Sequence, residues 1–512
     1  MKQSSIKAGA LISYATIFIN ILISFIYTPW MIHEIGKNNY GIYSLVLAFL
    51  SYFLLDFGLG SSISRFIAKY RADNNDEGIN RLFSIATIVY LAIDIVVFVV
   101  LFVLYFFLSD IFVKLTPEEL HTFRHAYIIA AFFSICNFLF QPYTGAMMAF
   151  EFFVPLKLLG LAQRLGTVLL ISIALFLGGD VYTLVLINGA VALIVSIGKI
   201  LFLRKNTKVR IQFGSYDHSI ARSLFSFSFW IFLISISDRL RLSVVPSILG
   251  YTSGAAEIAV FAVARNIEGL IYYFSVALNG LFIPQVARMV KANQDRTEVT
   301  RLMVKVGRIQ LYIVGFIIVG LFGLGRSFIH LWIGDEYRDS YYIMVALIAP
   351  KIISMTQEIG TTLSYVENEV KFNSVIAIST SILCFLLSIL LASRMGAIGC
   401  GLSVFIALMI ELFFLNIFYG QKLHISIVYF FRECHFKILP FLLVALAVLL
   451  IAEYHLHIDC WLNLISVGGI YCIFMLLMLY FIAFNAEEKE MFRKMLVKSN
   501  MCKRYISKVK RS

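Results

Sequence analysis

The stretch from Leu82 to Phe107 reads LFSIATIVYLAIDIVVFVVLFVLYFF, with Asp94 as its only charged residue. As an α-helix rising about 1.5 Å per residue, it is long enough to cross roughly 30 Å of hydrocarbon. Its apolar residues do not alternate with polar ones, so it is not a strand of a transmembrane barrel. The same pattern recurs along the chain. A criterion of ~20 predominantly apolar residues gives about 14 spans. They cover 8–31, 41–64, 82–107, 126–149, 158–178, 181–203, 223–249, 258–284, 309–332, 342–366, 373–393, 397–419, 438–454 and 464–485. The sequence therefore predicts an all-α integral membrane protein.

Composition agrees. The 512 residues are 60% hydrophobic and 14% charged, against about 25% charged in soluble domains. No small-residue cleavage site follows the first span, which reads as a membrane helix rather than a signal peptide. Gly178, Gly179 and Asp180 separate two spans, and Ser393 to Gly396 separate another two. Both pairs are predicted to be tight hairpins. The longest connections, about 108–125, 204–222 and 285–308, leave no room for a soluble domain.

Lys and Arg are distributed unevenly. With the N-terminus in the cytoplasm, the basic stretches Arg65–Arg81, Arg204–Arg222, Arg288–Arg308 and the tail from Lys489 all fall on the cytoplasmic side. The opposite face holds Lys37, Lys114, Arg124, Arg338 and Arg394. This asymmetry fixes orientation by the positive-inside rule and puts both termini in the cytoplasm. It also assigns the net charge of +13 to anionic-lipid contact rather than nucleic acid. Pro29 with Gly36, and Pro246 with Gly250, mark matching points of a faint six-plus-six repeat. The predicted organisation is an N-terminal six-helix bundle (1–203), a cytoplasmic linker (204–222), a second six-helix bundle (223–419), two additional helices (420–485) and a basic tail (486–512).

Charges inside spans are the candidate site. Arg164, Lys199 and Arg326 lie near span ends, where long side chains reach the interface. Arg239, Arg241, Arg265 and Lys351 lie deeper and are predicted at similar height in the outer half of the membrane. Such charges usually face a bundle interior or a wet cavity. A ring of four would suit a phosphate. The competing reading is local ion pairing, because Asp238 with Arg241 and Arg265 with Glu268 are i,i+3 neighbours. Asp56, Asp94, Glu358 and Glu411 also fall within spans. The first three are candidates for ion coupling, and all could instead tie helices together. Thr16, Asn20, Ser24 and Thr28 form a polar stripe on the first helix, and Ser228, Ser235 and Asp238 form one on the seventh. Asn20, Ser24, Asp238 and Glu268 are the candidate polar lining. No GxxxxGK[ST] or HExxH motif is present, and no metal or cofactor is predicted. The cysteines, Cys136, Cys384, Cys400 and Cys472 among them, read as buried free thiols.

The N-terminal stretch carries a resemblance. It runs Ile12-Ser-Tyr, Asn20, Thr28-Pro29-Trp-Met-Ile32, Gly36-Lys-Asn-Asn-Tyr40-Gly-Ile-Tyr43-Ser-Leu45, Leu55-Asp56-Phe57-Gly58-Leu59-Gly60, Arg65-Phe66 and Lys69-Tyr70. It resembles the Wzx-type flippases, the polysaccharide-export branch of the multidrug/oligosaccharidyl-lipid/polysaccharide exporters. The resemblance implies two six-helix bundles around a central cavity, with two further C-terminal helices. It implies transport of undecaprenyl-diphosphate-linked oligosaccharide from the cytoplasmic to the outer leaflet of a bacterial plasma (inner) membrane. That process would feed assembly of O-antigen, capsule or exopolysaccharide, with a polysaccharide polymerase and a chain-length regulator as partners. By helix number and depth, Arg239, Arg241 and Arg265 are the positions that could hold the diphosphate. Related peptidoglycan-precursor flippases carry arginine in their first two helices, whereas the first helix here has none. The alternatives are a cation-coupled multidrug antiporter of the same superfamily and a membrane enzyme acting on lipid-linked glycans. The short outer loops and missing catalytic motifs point to a transporter rather than an enzyme.

Overall fold

A computed structural model describes residues 2–51, 58–211, 229, 232–279, 283–292, 295–367, 369–456, 458–486 and 488–490. Among these residues the chain is helical, with no strand. The first half contains α1 (Lys2–Ile35), α2 (Lys37–Ser51), α3 (Leu59–Ala72), α4 (Asp76–Ile111), α5 (Pro117–Phe138), α6 (Gln141–Ala149), α7 (Phe153–Phe176) and α8 (Val181–Asn206). The second begins with α9 (232–238) and a π-turn at Arg239–Ser243. It continues through α10 (Val245–Thr252), α11 (Ala255–Asn279), α12 (Ile283–Lys291), α13 (Arg296–Ile333), α14 (Asp339–Ile348), α15 (Lys351–Ser354), α16 (Glu358–Val366) and α17 (Val370–Gln421). α18 (Ile427–Phe430), α19 (Phe436–Leu456) and α20 (Trp461–Met478) complete it.

Ten helical stretches among the described residues are long and apolar enough to cross a membrane. α17 is one of them, but it contains two spans. Gly396 has φ 55°, and a Cβ on Gly399 would overlap the Leu391 carbonyl. Residues eight apart in a straight helix are about 12 Å apart along its axis, so 370–395 and 397–421 are arms of a hairpin. The other expected hairpin turns at Gly178, where φ is 83° and glycine alone avoids a Cβ penalty. Asp180 then caps α8 by accepting the Thr183 N–H at 3.1 Å, as a short polar side chain at this position should. Three expected spans are not among these ten stretches. The stretches 41–64 and 223–249 include residues outside those described. The span at 258–284 corresponds to α11, which carries Arg265 and Glu268, and it also includes residues outside those described.

Phe25, toward the end of α1, accepts a hydrogen bond from the Trp332 indole at the end of α13, at 2.6 Å. Arg308, nearer the start of α13, binds Glu488 at 2.6 Å. The starts of α1 and α13 and the described C-terminal end therefore share one face. The halves are tied at the opposite face. Lys37 Nζ donates to the Glu336 carbonyl at 2.7 Å, and α2 packs so tightly on α11 that a Cβ on Gly41 would overlap the Ala255 carbonyl. α2 and α11 belong to the second and eighth expected spans, the elements that a parallel repeat brings face to face. The two final helices dock on α13. Gly315 and Gly323 admit Leu442 and Leu449 of α19, and Tyr471 of α20 donates to the Phe316 carbonyl at 2.6 Å. Small residues serve this purpose in membrane helices because lipid-exposed surfaces gain nothing from hydrophobic burial.

Candidate functional site

Helices from both halves frame a polar cavity of about 520 Å³. α1 supplies Asn20 and Ser24, α7 supplies Gln163 and Arg164, α8 supplies Asn188, and α11 supplies Arg265 and Asn266. The polar stripe on α1 thus reaches the cavity at two of its positions, while Thr28 is buried. Arg164 lies about 17 Å along α7 from its start, and Arg265 about 15 Å along α11. Both therefore lie near the middle of their helices. Arg164 donates to Ser24 Oγ at 3.3 Å. Tyr40 accepts from Asn266 at 2.7 Å and Tyr43 from Asn188 at 3.0 Å, which orients both amides. No carboxylate is among the described residues that line the cavity.

Arg265 is backed by a buried carboxylate. It pairs with Glu268, which also binds Lys351 Nζ at 3.1 Å. The Arg265 side chain remains 39% exposed while that of Glu268 is 3% exposed. The guanidinium therefore faces the cavity, with its counter-charge behind it. Arg265 and Lys351 thus share one carboxylate, and Asp238 and Glu411 lie near Lys351 as well. Lys351 does not line the cavity and acts on it through Glu268.

The expected ring of four cations is not what the structure contains. Arg241 is buried, pairs with Glu411, and donates to Ser381 Oγ at 3.2 Å and Thr380 Oγ1 at 3.4 Å. It is absent from the cavity lining. The expected local pairing of Asp238 with Arg241 is replaced by this contact with the hairpin α17. The cause is the π-turn at Arg239–Ser243, where the Val244 N–H reaches back to the Arg239 carbonyl at 3.0 Å. A wider turn breaks the 3.6-residue register on which i,i+3 pairing depends. Asp238 is exposed and Arg239 half-buried on this segment, and neither lines the cavity. Glu268 and Lys351 lie next to the Arg241–Glu411 pair, so the charges form two adjoining ion-paired groups.

The coupling candidates are placed elsewhere. Asp94 is buried in α4 near Cys136 of α5. Glu358 opens α16 near Tyr419. Asp56 and Ser228 lie outside the described residues, while Ser235 is half-buried on α9. Arg164, Gln163, Asn188 and Asn266 were not among the expected site residues. A signal for Arg164 was present: Pro155 fits the first turn of a helix, which would start α7 near Phe153 and move Arg164 inward.

Comparison with known proteins agrees with this architecture. Residues 6–290 match the family described as polysaccharide biosynthesis protein. No curated protein matches the chain in sequence. Among solved structures, the chain is similar to the lipid II flippase MurJ in an inward closed conformation. The TM-score is 0.66 at 15% identity, covering 93% of this chain and 98% of that one. It is also similar to an inward-facing multidrug resistance MATE family transporter of the MOP superfamily, at TM-score 0.65 and 13% identity over 83% and 99% of the two chains. A MOP superfamily transporter from Pyrococcus furiosus Vc1 gives 0.56 at 14% identity, over 82% and 95%. At these identities the likeness establishes the fold.

Proposed function

Because the chain belongs to the polysaccharide biosynthesis protein family and has the fold of MOP superfamily transporters, we propose that it is a flippase. Its cargo is an oligosaccharide linked through a diphosphate to a polyprenyl lipid. The observation that carries this reading is the central cavity, which presents Arg164 and Arg265 and no described carboxylate. A diphosphate offers several anionic oxygens, and guanidinium groups bind such oxygens in pairs. Asn20, Ser24, Asn188 and Asn266 offer donors and acceptors for sugar hydroxyls. The polyprenyl chain stays in lipid, and the polar headgroup passes through a cavity that replaces its water.

With both termini in the cytoplasm, the contacts of Gly41, Lys37 and Trp332 close the outer side. Rocking of the halves about the cavity would release these contacts and expose the headgroup outward, as repeat-built transporters do. Lys351 and Glu268 hold Arg265 in place, and Arg241 with Glu411 braces the second half. Asp56, Asp94 and Glu358 remain the candidates for ion coupling. The basic cytoplasmic loops would meet anionic lipids of a bacterial inner membrane. The product would supply a polysaccharide polymerase and chain-length regulator making O-antigen, capsule or exopolysaccharide. A cation-coupled drug antiporter fits less well, since a cavity lined by arginine repels cations. The protein does no bond-breaking chemistry in this reading.

The test is reconstitution in liposomes with a fluorescent undecaprenyl-diphosphate oligosaccharide and an external quencher. Arg164→Ala and Arg265→Ala should each slow protein-dependent translocation at least tenfold, a loss of about 1.4 kcal/mol or more. Folded variants that translocate at the wild-type rate would remove the diphosphate role from these residues.

A further inference from the structure

A second polar cavity, of about 280 Å³, lies inside the first half between α2, α5, α6, α7 and α8. Gln163 and Asn188 line it as well as the central cavity, so the two adjoin through these amides. Lys199 lies at its other end. Its Nζ donates to Thr144 Oγ1 at 3.3 Å. Among the described residues, no acidic side chain lines this cavity and Lys199 forms no ion pair. The sequence alone places Lys199 near a helix end, free to reach the interface. The structure turns it inward instead.

The wall chemistry is specific. Ser196 Oγ donates to Asn137 Oδ1 at 2.9 Å, which leaves the pocket lined by oriented amides and hydroxyls. Gln163 makes no hydrogen bond among the described residues, so both ends of its amide are available to a ligand. The Phe133 ring forms part of the wall and lies where a Cβ on Gly189 would be. Amides, hydroxyls and an aromatic face together fit a sugar, whose hydroxyls need hydrogen-bond partners and whose C–H faces are apolar. An apolar ligand would leave the Gln163 amide unpaired. An ammonium within a membrane segment is costly unless an anion meets it.

We infer that this cavity is a subsite for an anionic sugar of the transported glycan, with Lys199 on the charge and Gln163 and Asn188 joining it to the diphosphate site. This rests on the flippase reading. A sugar carboxylate, such as that of a uronate, is the simplest anion that fits, since Lys199 is a single compact charge.

The experiment compares two undecaprenyl-diphosphate disaccharides, one ending in glucuronic acid and one in glucose. Full-length protein in nanodiscs gives binding, and proteoliposomes give translocation. Wild type should bind the glucuronic acid lipid roughly tenfold more tightly, the scale of one charge-assisted hydrogen bond. Lys199→Gln should abolish that preference, and Lys199→Arg should keep most of it. Equal affinity for the two lipids in wild type, or a preference that survives in Lys199→Gln, overturns the subsite. If Lys199→Gln does not fold, equal wild-type affinity is still decisive, and a preference lost in Lys199→Arg counts against the charge pairing. A charge preference in binding with no translocation of either lipid would sink the flippase reading and leave the subsite standing.

Discussion

Arg241 and Glu411 form a buried pair whose partners are far apart in sequence, so no local spacing reveals it. Removing one partner leaves an uncompensated charge among apolar helices and should cost about 3–5 kcal/mol. Arg241→Met with Glu411→Leu should recover most of that, because the desolvated pair is replaced by apolar packing. Thermal unfolding in detergent reads both effects. Translocation should survive in the folded double variant, whereas a binding role for Arg241 requires its loss. A second prediction concerns Glu488. Burial disfavours its ionised form, but the Arg308 guanidinium and the Asn485 N–H outweigh burial and hold the carboxyl below its usual range. A depressed folded-state pKa gives stability that is present above the unfolded value, near 4.3, and is lost as pH falls through the folded value. The contact of Glu488 with α13 should therefore hold at neutral pH and loosen only in acid. Protease protection of this segment should show that fall in wild type and a flat profile in Glu488→Gln. The deep arginines were legible as residues that need partners. The i,i+3 partner of Arg265, Glu268, was legible as well, whereas Glu411 as the partner of Arg241 was not, because ion pairs between distant helices leave no periodic trace.

At the scale of elements, the apolar runs and their turns were legible because hydrocarbon thickness and helix rise leave few choices. The reversals at Gly178 and Gly396 carry positive φ where the sequence places glycine between spans. Helix ends were less legible. α7 starts at Phe153 rather than at 158, and five residues of helix move Arg164 toward the middle of its helix. The π-turn at Arg239 left no sequence signal, and it separates Arg241 from Asp238. The contact of α2 with α11 yields a further prediction. Gly41→Ala would push against the Ala255 carbonyl, a backbone atom that cannot swing aside. The closed outer side should be destabilised by about 1–3 kcal/mol, the usual cost of overpacking. In a background without reactive cysteines, a cysteine placed at Asn266 should become more open to a membrane-impermeant thiol reagent from outside. Unchanged labelling would mean that this contact does not gate the cavity.

For the whole molecule, two halves joined on one face around a polar cavity have the form that the proposed reading needs for moving a polar group across lipid. The cavity lining, with Arg164 and Arg265 and no described carboxylate, is what favours an anionic headgroup in the proposed reading. The architecture of spans and halves followed from the sequence, while the cavity required the fold, because α1, α7, α8 and α11 meet only in three dimensions. The sign of the cargo's charge separates a glycan-lipid flippase from a drug antiporter. The most direct measurement therefore offers wild-type proteoliposomes two cargoes in parallel, a fluorescent undecaprenyl-diphosphate oligosaccharide and a cationic dye such as ethidium. Protein-dependent movement of the lipid-linked glycan with no movement of the dye is the predicted result. Transport of the dye driven by an ion gradient, with the glycan lipid stationary, would contradict it.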